Sequence, residues 1–143
     1  MSTSINRTLC LDVGDVRIGI AVSDLLGIIA NGIETYTRKG ESDAQYIADI
    51  AKAQQANVIV FGLPRMLNGT YGVQSEKVRA FADEVAAVYD GKIEFFDERL
   101  TTAAAERILL DADMSRKKRR KVIDKMAAMI ILQNYLDSRG TKL

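Results

Sequence analysis

Residues 8–23, TLCLDVGDVRIGIAVS, decide how this chain folds. Thr8 to Val13 alternates and is rich in apolar residues, as a strand requires, and Gly14-Asp15 supplies the turn chemistry that ends it. Arg17 to Ser23 then repeats the pattern, so the stretch reads as a hairpin. Working outward, Ile33, Thr35 and Thr37 alternate with Glu34 and Tyr36, which predicts a third strand over Gly32 to Thr37. Past Gly40 the period changes from two to 3.6. Ser42 or Asp43 can cap a helix with Tyr46, Ile47, Ile50, Ala51 and Gln54 on one side. Asn57 to Gly62 follows as an apolar run suited to a parallel strand covered on both faces. A glycine-rich loop, Gly62 to Gly72, leads into a helix with Val78, Phe81, Ala82, Val85 and Val88 on one side. Lys92 to Phe96 is the next strand. A helix capped by Thr101 or Thr102 runs to Leu110. The last opens at Ser115, carries Val122, Met126, Met129, Ile130, Gln133 and Leu136 as its apolar stripe, and stops at Gly140. The sum is an α/β chain: a mixed five-stranded sheet, antiparallel for its first three strands and parallel after, with helices on both faces.

The chain has 143 residues, 48% of them hydrophobic, and shows no repeat or linker tract, so one domain over residues 1–143 is expected. It contains no histidine and one cysteine, Cys10. Those counts exclude Ser-His-Asp and Cys-His nucleophile systems, an imidazole base, an intrachain disulfide and most zinc sites. Cys10, between Leu9 and Leu11, reads as a small core residue. Twenty basic residues against 19 acidic ones give a net charge of +1, so partners must be sought in how charge is distributed. No signal peptide is evident and no apolar run is long enough to span a bilayer, which predicts a soluble, intracellular protein without a membrane partner.

Asp12 stands at the end of an apolar strand, where burying a carboxylate is costly unless a cation or hydrogen bonds compensate. Asp97 and Glu98 hold the same position after KIEFF, and Asp124 lies near the apolar face of the last helix. Carboxylates at ~4 Å repel by about 4 kcal/mol at an effective dielectric of 20, so their convergence needs a neutralising ion. Mg²⁺ or Mn²⁺ fits, because both prefer oxygen ligands and can activate water for phosphodiester hydrolysis. Each acid also has a plainer reading: an Asx-type turn at Asp12, pairing of Asp97 or Glu98 with Arg99, and pairing of Asp124 with Lys121 or Lys125. Arg116, Lys117, Lys118, Arg119, Arg120 and Lys121 form an unbroken basic run. A solvated helix face would account for it, but its place beside Asp124 favours a track for a phosphate backbone. Arg17 in the hairpin, Arg65 after the central strand and Arg99 are further candidate phosphate contacts.

The element order is that of the ribonuclease H-like arrangement, and four motifs sharpen the reading: LDVGDVRIGIAVSD, VIVFGLPRMLNG, FFDERLTT and IDKMAA. In this order and spacing, from Leu9 to Leu136, the chain resembles the YqgF family of Holliday junction resolvases and pre-16S ribosomal RNA nucleases. The resemblance implies a bacterial cytoplasmic, metal-dependent nuclease acting on structured RNA, with trimming of the 5′ end of pre-16S rRNA as the favoured activity and Holliday junction cleavage of branched DNA as the alternative, and a monomer or weak homodimer is expected. It carries the catalytic and metal-binding roles to Asp12, to the acidic pair of FFDER and to Asp124. Within the pair Glu98 is favoured and Asp97 is the second candidate. Compared with RuvC resolvases, the central strand ends in Gly62-Leu63-Pro64 without an acid, and the glutamate comes from the following strand. Two other classes compete: a nucleic-acid-binding module without turnover, and an actin-like or sugar-kinase-like phosphate binder. The second would need two such lobes.

Overall fold

A computed structural model describes residues 7–64, 72–97 and 116–140, with the side chains of 116–123 and 140 left out of the description. The elements are β1 (Arg7–Val13), β2 (Arg17–Ser23), β3 (Ala30–Thr37), α1 (Asp43–Ala53), β4 (Ala56–Leu63), α2 (Val73–Ala86), β5 (Lys92–Asp97) and α3 (Arg116–Gly140). The helix expected from Thr101 or Thr102 to Leu110 lies outside the described residues. The strands form one five-stranded sheet in the order β3-β2-β1-β4-β5. β1 pairs antiparallel with β2, and β2 with β3, whereas β1–β4 and β4–β5 are parallel. The expected mixed sheet is therefore present, and β1 sits at its centre with a neighbour on each side.

Strand alternation splits the apolar residues between two cores. Leu9, Leu11, Ile18, Ile20, Ile59 and Phe61 point to one face, where Ile47 and Ala51 of α1 and Val78, Phe81 and Val85 of α2 cover them. Phe61 is fully buried there, in contact with the rings of Phe81 and Phe95. Cys10, Ala21, Ala30 and Val60 point to the other face, under Ala128, Ile131, Leu132, Tyr135 and Leu136 of α3. Cys10 is buried, as its neighbours suggest.

The buried stripe of α3 corrects the sequence reading. Ala127, Ala128, Ile131, Leu132, Tyr135 and Leu136 are buried, while Met126, Met129, Ile130 and Gln133 are only partly so, and Val122 is among the undescribed side chains. The reason lies in the sheet. A Cβ on Gly19 would stand 1.9 Å from the Asp124 carbonyl oxygen, and one on Gly32 would stand 2.7 Å from Cγ of Lys125. With no side chains in the way, the helix lies close against β2 and β3, with Ala128, Ile131, Leu132 and Tyr135 facing the sheet and Met129 packed at their margin over Gly32. Gln133 anchors the approach to β3, accepting the Ala30 N–H at 3.0 Å and donating to the Ile28 carbonyl at 2.7 Å. Among the described residues, no helix is long and apolar enough to cross a membrane.

Candidate functional site

Asp12 is the penultimate residue of β1 and lies opposite Gly19 of β2. It shares the face of Cys10, two residues earlier, and so looks toward α3, where it is half-buried. Gly19 in turn lies directly beneath the Asp124 backbone. The glycine thus sits between the two aspartates, bringing strand end and helix together on one patch. Arg17 joins them: its Nε donates to Asp124 Oδ2 at 2.6 Å, both side chains being about a quarter exposed (25% and 24%). The plainer reading had Asp124 pairing with Lys121 or Lys125. Arg17 is its partner here, while the Lys125 stem lies over Gly32.

The hairpin turn beside Asp12 is held from several sides. Gly14 N–H donates to the Arg17 carbonyl at 2.8 Å, and a Cβ on Gly14 would stand 2.9 Å from that oxygen, so the closure needs glycine. Arg38 then clamps the turn: its backbone N–H donates to Val16 O at 2.8 Å and its Nη1 to Gly14 O at 3.0 Å. Its Nε donates to Asp43 Oδ2 at 3.1 Å. Asp43 also accepts the Lys39 and Gly40 N–H groups and the Tyr36 hydroxyl. Burial pushes its pKa up, but the Lys39 N–H, Arg38 guanidinium, Tyr36 hydroxyl and Gly40 N–H outweigh burial, and the carboxyl sits below its usual range. The sequence marked Asp43 only as one of two possible helix caps. Ser42 is the cap residue but makes no side-chain capping bond. From the other side, Gln74 Nε2 reaches Val13 O at 3.4 Å, and Ser75 at the start of α2 donates to the Pro64 carbonyl.

At the end of β5, Glu94 and Phe96 face α3: Tyr135 donates to Glu94 Oε1 at 2.7 Å and packs edge-on against Phe96. Phe95 faces the opposite way, toward Phe61 and under the Arg79 guanidinium. Alternation puts Asp97 on the Phe95 side, away from the face that carries Asp12 and Asp124. Glu98, Arg65 and Arg99 lie outside the described residues. Arg116 to Lys121 form the first turns of α3 in the description, their side chains excepted.

Asp12 and Asp124 are hard oxygen donors of the kind Mg²⁺ or Mn²⁺ selects. Asp124 already carries a cationic partner, the Arg17 guanidinium. The residues present therefore fit a divalent ion. Among the described residues no three His, Cys, Asp or Glu side chains come together as a metal site.

A family model described as RuvX, Holliday junction resolvase, matches residues 6–138. A protein of Clostridioides difficile named "Putative pre-16S rRNA nuclease" is 54% identical over 132 residues, covering 92% of this chain and 94% of its own. One of the same name from Halalkalibacterium halodurans is 50% identical over 139 residues, covering 95% and 99%. Among solved structures, T. thermophilus RuvC in complex with a Holliday junction substrate superposes with a TM-score of 0.52 at 12% identity, over 94% of this chain and 95% of that one. That likeness carries the fold, and the sheet has the expected ribonuclease H-like arrangement.

Proposed function

The chain belongs to the RuvX (YqgF) family of Holliday junction resolvases, and from that membership we propose that residues 1–143 form one metal-dependent nuclease domain. Its substrate is structured RNA, at the 5′ end of pre-16S rRNA. The observation that carries this reading is the meeting of Asp12 and Asp124 on one patch across Gly19. The relatives' shared name favours RNA.

Asp12, Asp124 and Glu98 would hold Mg²⁺ or Mn²⁺. Glu98 is favoured over Asp97, since Glu94 and Phe96 face α3 and alternation turns Asp97 the other way. A divalent ion bound there neutralises charge on the phosphodiester and lowers the pKa of the attacking water. The chain supplies the rest. Asp12 is fixed by a central strand paired on both sides, and the Arg38–Asp43 clamp keeps the adjoining turn in place.

Six consecutive cations, Arg116 to Lys121, stand in the first described turns of α3, where no acidic residue accompanies them. A run of like charges of this kind is relieved by a phosphate backbone. Arg17 lies beside Asp124 and would be a further phosphate contact, with Arg65 and Arg99 as candidates from the sequence. A ribosomal RNA substrate places the protein in the cytoplasm, without a membrane partner, as a monomer or weak homodimer.

The test is cleavage of labelled pre-16S leader RNA and a four-way DNA junction side by side, with Mg²⁺ or Mn²⁺, by wild type and Asp12→Asn. Wild type cuts the RNA, and the variant loses roughly a hundredfold or more of the rate. Cutting of the junction alone would make Holliday junction resolution the function, the reading favoured by the family description. RNA binding without metal-dependent cutting would make the protein a binding module.

A further inference from the structure

Arg17 is a candidate phosphate contact, yet its side chain is committed to Asp124. Nε holds Asp124 at 2.6 Å in an ion pair about three-quarters shielded from water, a geometry stronger than that of a freely solvated surface pair. The residue's backbone is fixed. Its carbonyl accepts the Gly14 N–H, and it pairs with Thr37 at the start of β2. Only the flexible side chain can therefore leave Asp124. A guanidinium and a divalent cation compete for the same carboxylate, whereas a guanidinium and a phosphate attract, with a planar fork that matches two phosphate oxygens.

We propose that Arg17 is a placeholder on Asp124: it neutralises the carboxylate in the metal-free protein and passes to a nucleic-acid phosphate when a divalent ion takes its place. Arg17 is a positioning residue for Asp124, and the inference rests on the reading of Asp124 as a metal ligand. Its consequence is coupling. Metal alone must displace the guanidinium. Metal arriving with a phosphate does not, because the phosphate draws the guanidinium away. Nucleic acid therefore raises metal affinity, and by linkage metal raises nucleic-acid affinity by the same factor.

The test is Mn²⁺ binding followed by electron paramagnetic resonance, with wild type, Arg17→Met, Arg17→Lys and Asp124→Asn. Circular dichroism checks that each is folded. Without nucleic acid, Arg17→Met binds Mn²⁺ roughly three- to tenfold more tightly than wild type, and Arg17→Lys, which keeps a charge, falls between them. Adding a nuclease-resistant phosphorothioate RNA hairpin tightens Mn²⁺ binding to wild type but leaves Arg17→Met unchanged. Equal or weaker Mn²⁺ binding by Arg17→Met, with Asp124→Asn still losing the ion, would overturn the placeholder and leave the metal site standing. An equal RNA-induced gain in Arg17→Met would overturn the transfer to phosphate. Mn²⁺ binding unaffected by Asp124→Asn would remove the metal-ligand reading and the placeholder with it.

Discussion

The two faces of the sheet are built on opposite principles. Under α1 and α2, leucines, isoleucines and Phe61 fill the space with bulk, and among the described residues no carboxylate or basic side chain of the sheet is buried there. Under α3 the sheet offers Cys10, Gly19, Ala21, Ala30 and Gly32, and the helix comes close enough for its backbone to touch Gly19. One face supplies apolar burial. The other gives up side-chain volume to set the Asp124 backbone beside the strand that pairs with Asp12. Loss of bulk on the first face should thus cost stability and spare chemistry, and added bulk on the second should do the reverse.

The largest stability effect belongs to the first face. Phe61→Ala should destabilise by about 3–5 kcal/mol, as cavity-forming aromatic truncations do, measurable by urea denaturation. The cleavage rate per folded molecule stays unchanged. On the second face, Gly19→Ala should cost less stability, about 1–3 kcal/mol for overpacking. It should nonetheless lose most of its cleavage, because the new methyl meets the backbone that carries Asp124. Gly32→Ala sharpens the contrast: its Cβ meets the side chains of Lys125 and Met129, which can move aside, so both losses are smaller. Equal rate losses in Gly19→Ala and Phe61→Ala would dissolve the distinction between the faces.

The smallest effect tests the clamp at the hairpin turn. The Asp43 pKa is depressed on folding, so its ionised form contributes stability that is fully present above the unfolded value near 3.9. That contribution is lost as pH falls through the lower, folded value. Denaturation midpoints followed from pH 6 to pH 2 should show an acid-side loss that shrinks in Asp43→Asn. An identical acid-side slope in the variant would remove Asp43 from the account.

The sequence carried the sheet well because its signals are local. β1 and β2 are marked by alternation and by Gly14, β4 by its apolar run, and the motif order points to the family. Asp12 and Asp124 were legible as candidates for the same reason: acids stand out at a strand end and on an apolar helix face. What joins them was not legible. The Arg17–Asp124 pair spans 107 residues, and nothing near either end announces it. The buried stripe of α3 was not legible because the helix's own period does not reveal that Gly19 and Gly32 lie opposite it, and their missing side chains let its backbone approach with Ala128, Ile131, Leu132 and Tyr135 toward the sheet. Arg38 and Asp43 were hidden likewise, since the clamp exists only once β3 lies beside the hairpin turn. Which way Asp97 faces was not legible either, since it depends on strand parity, which the register of β5 supplies.

If Asp12 and Asp124 act as one unit, a double-mutant cycle on cleavage will reveal it. Rates of pre-16S leader cleavage in Mg²⁺ would be compared for wild type, Asp12→Asn, Asp124→Asn and the double variant. Members of one site are strongly non-additive, so the double variant should be no slower than the slower single variant. Rate losses that multiply, with each aspartate costing its full factor whether or not the other is present, would contradict a shared site.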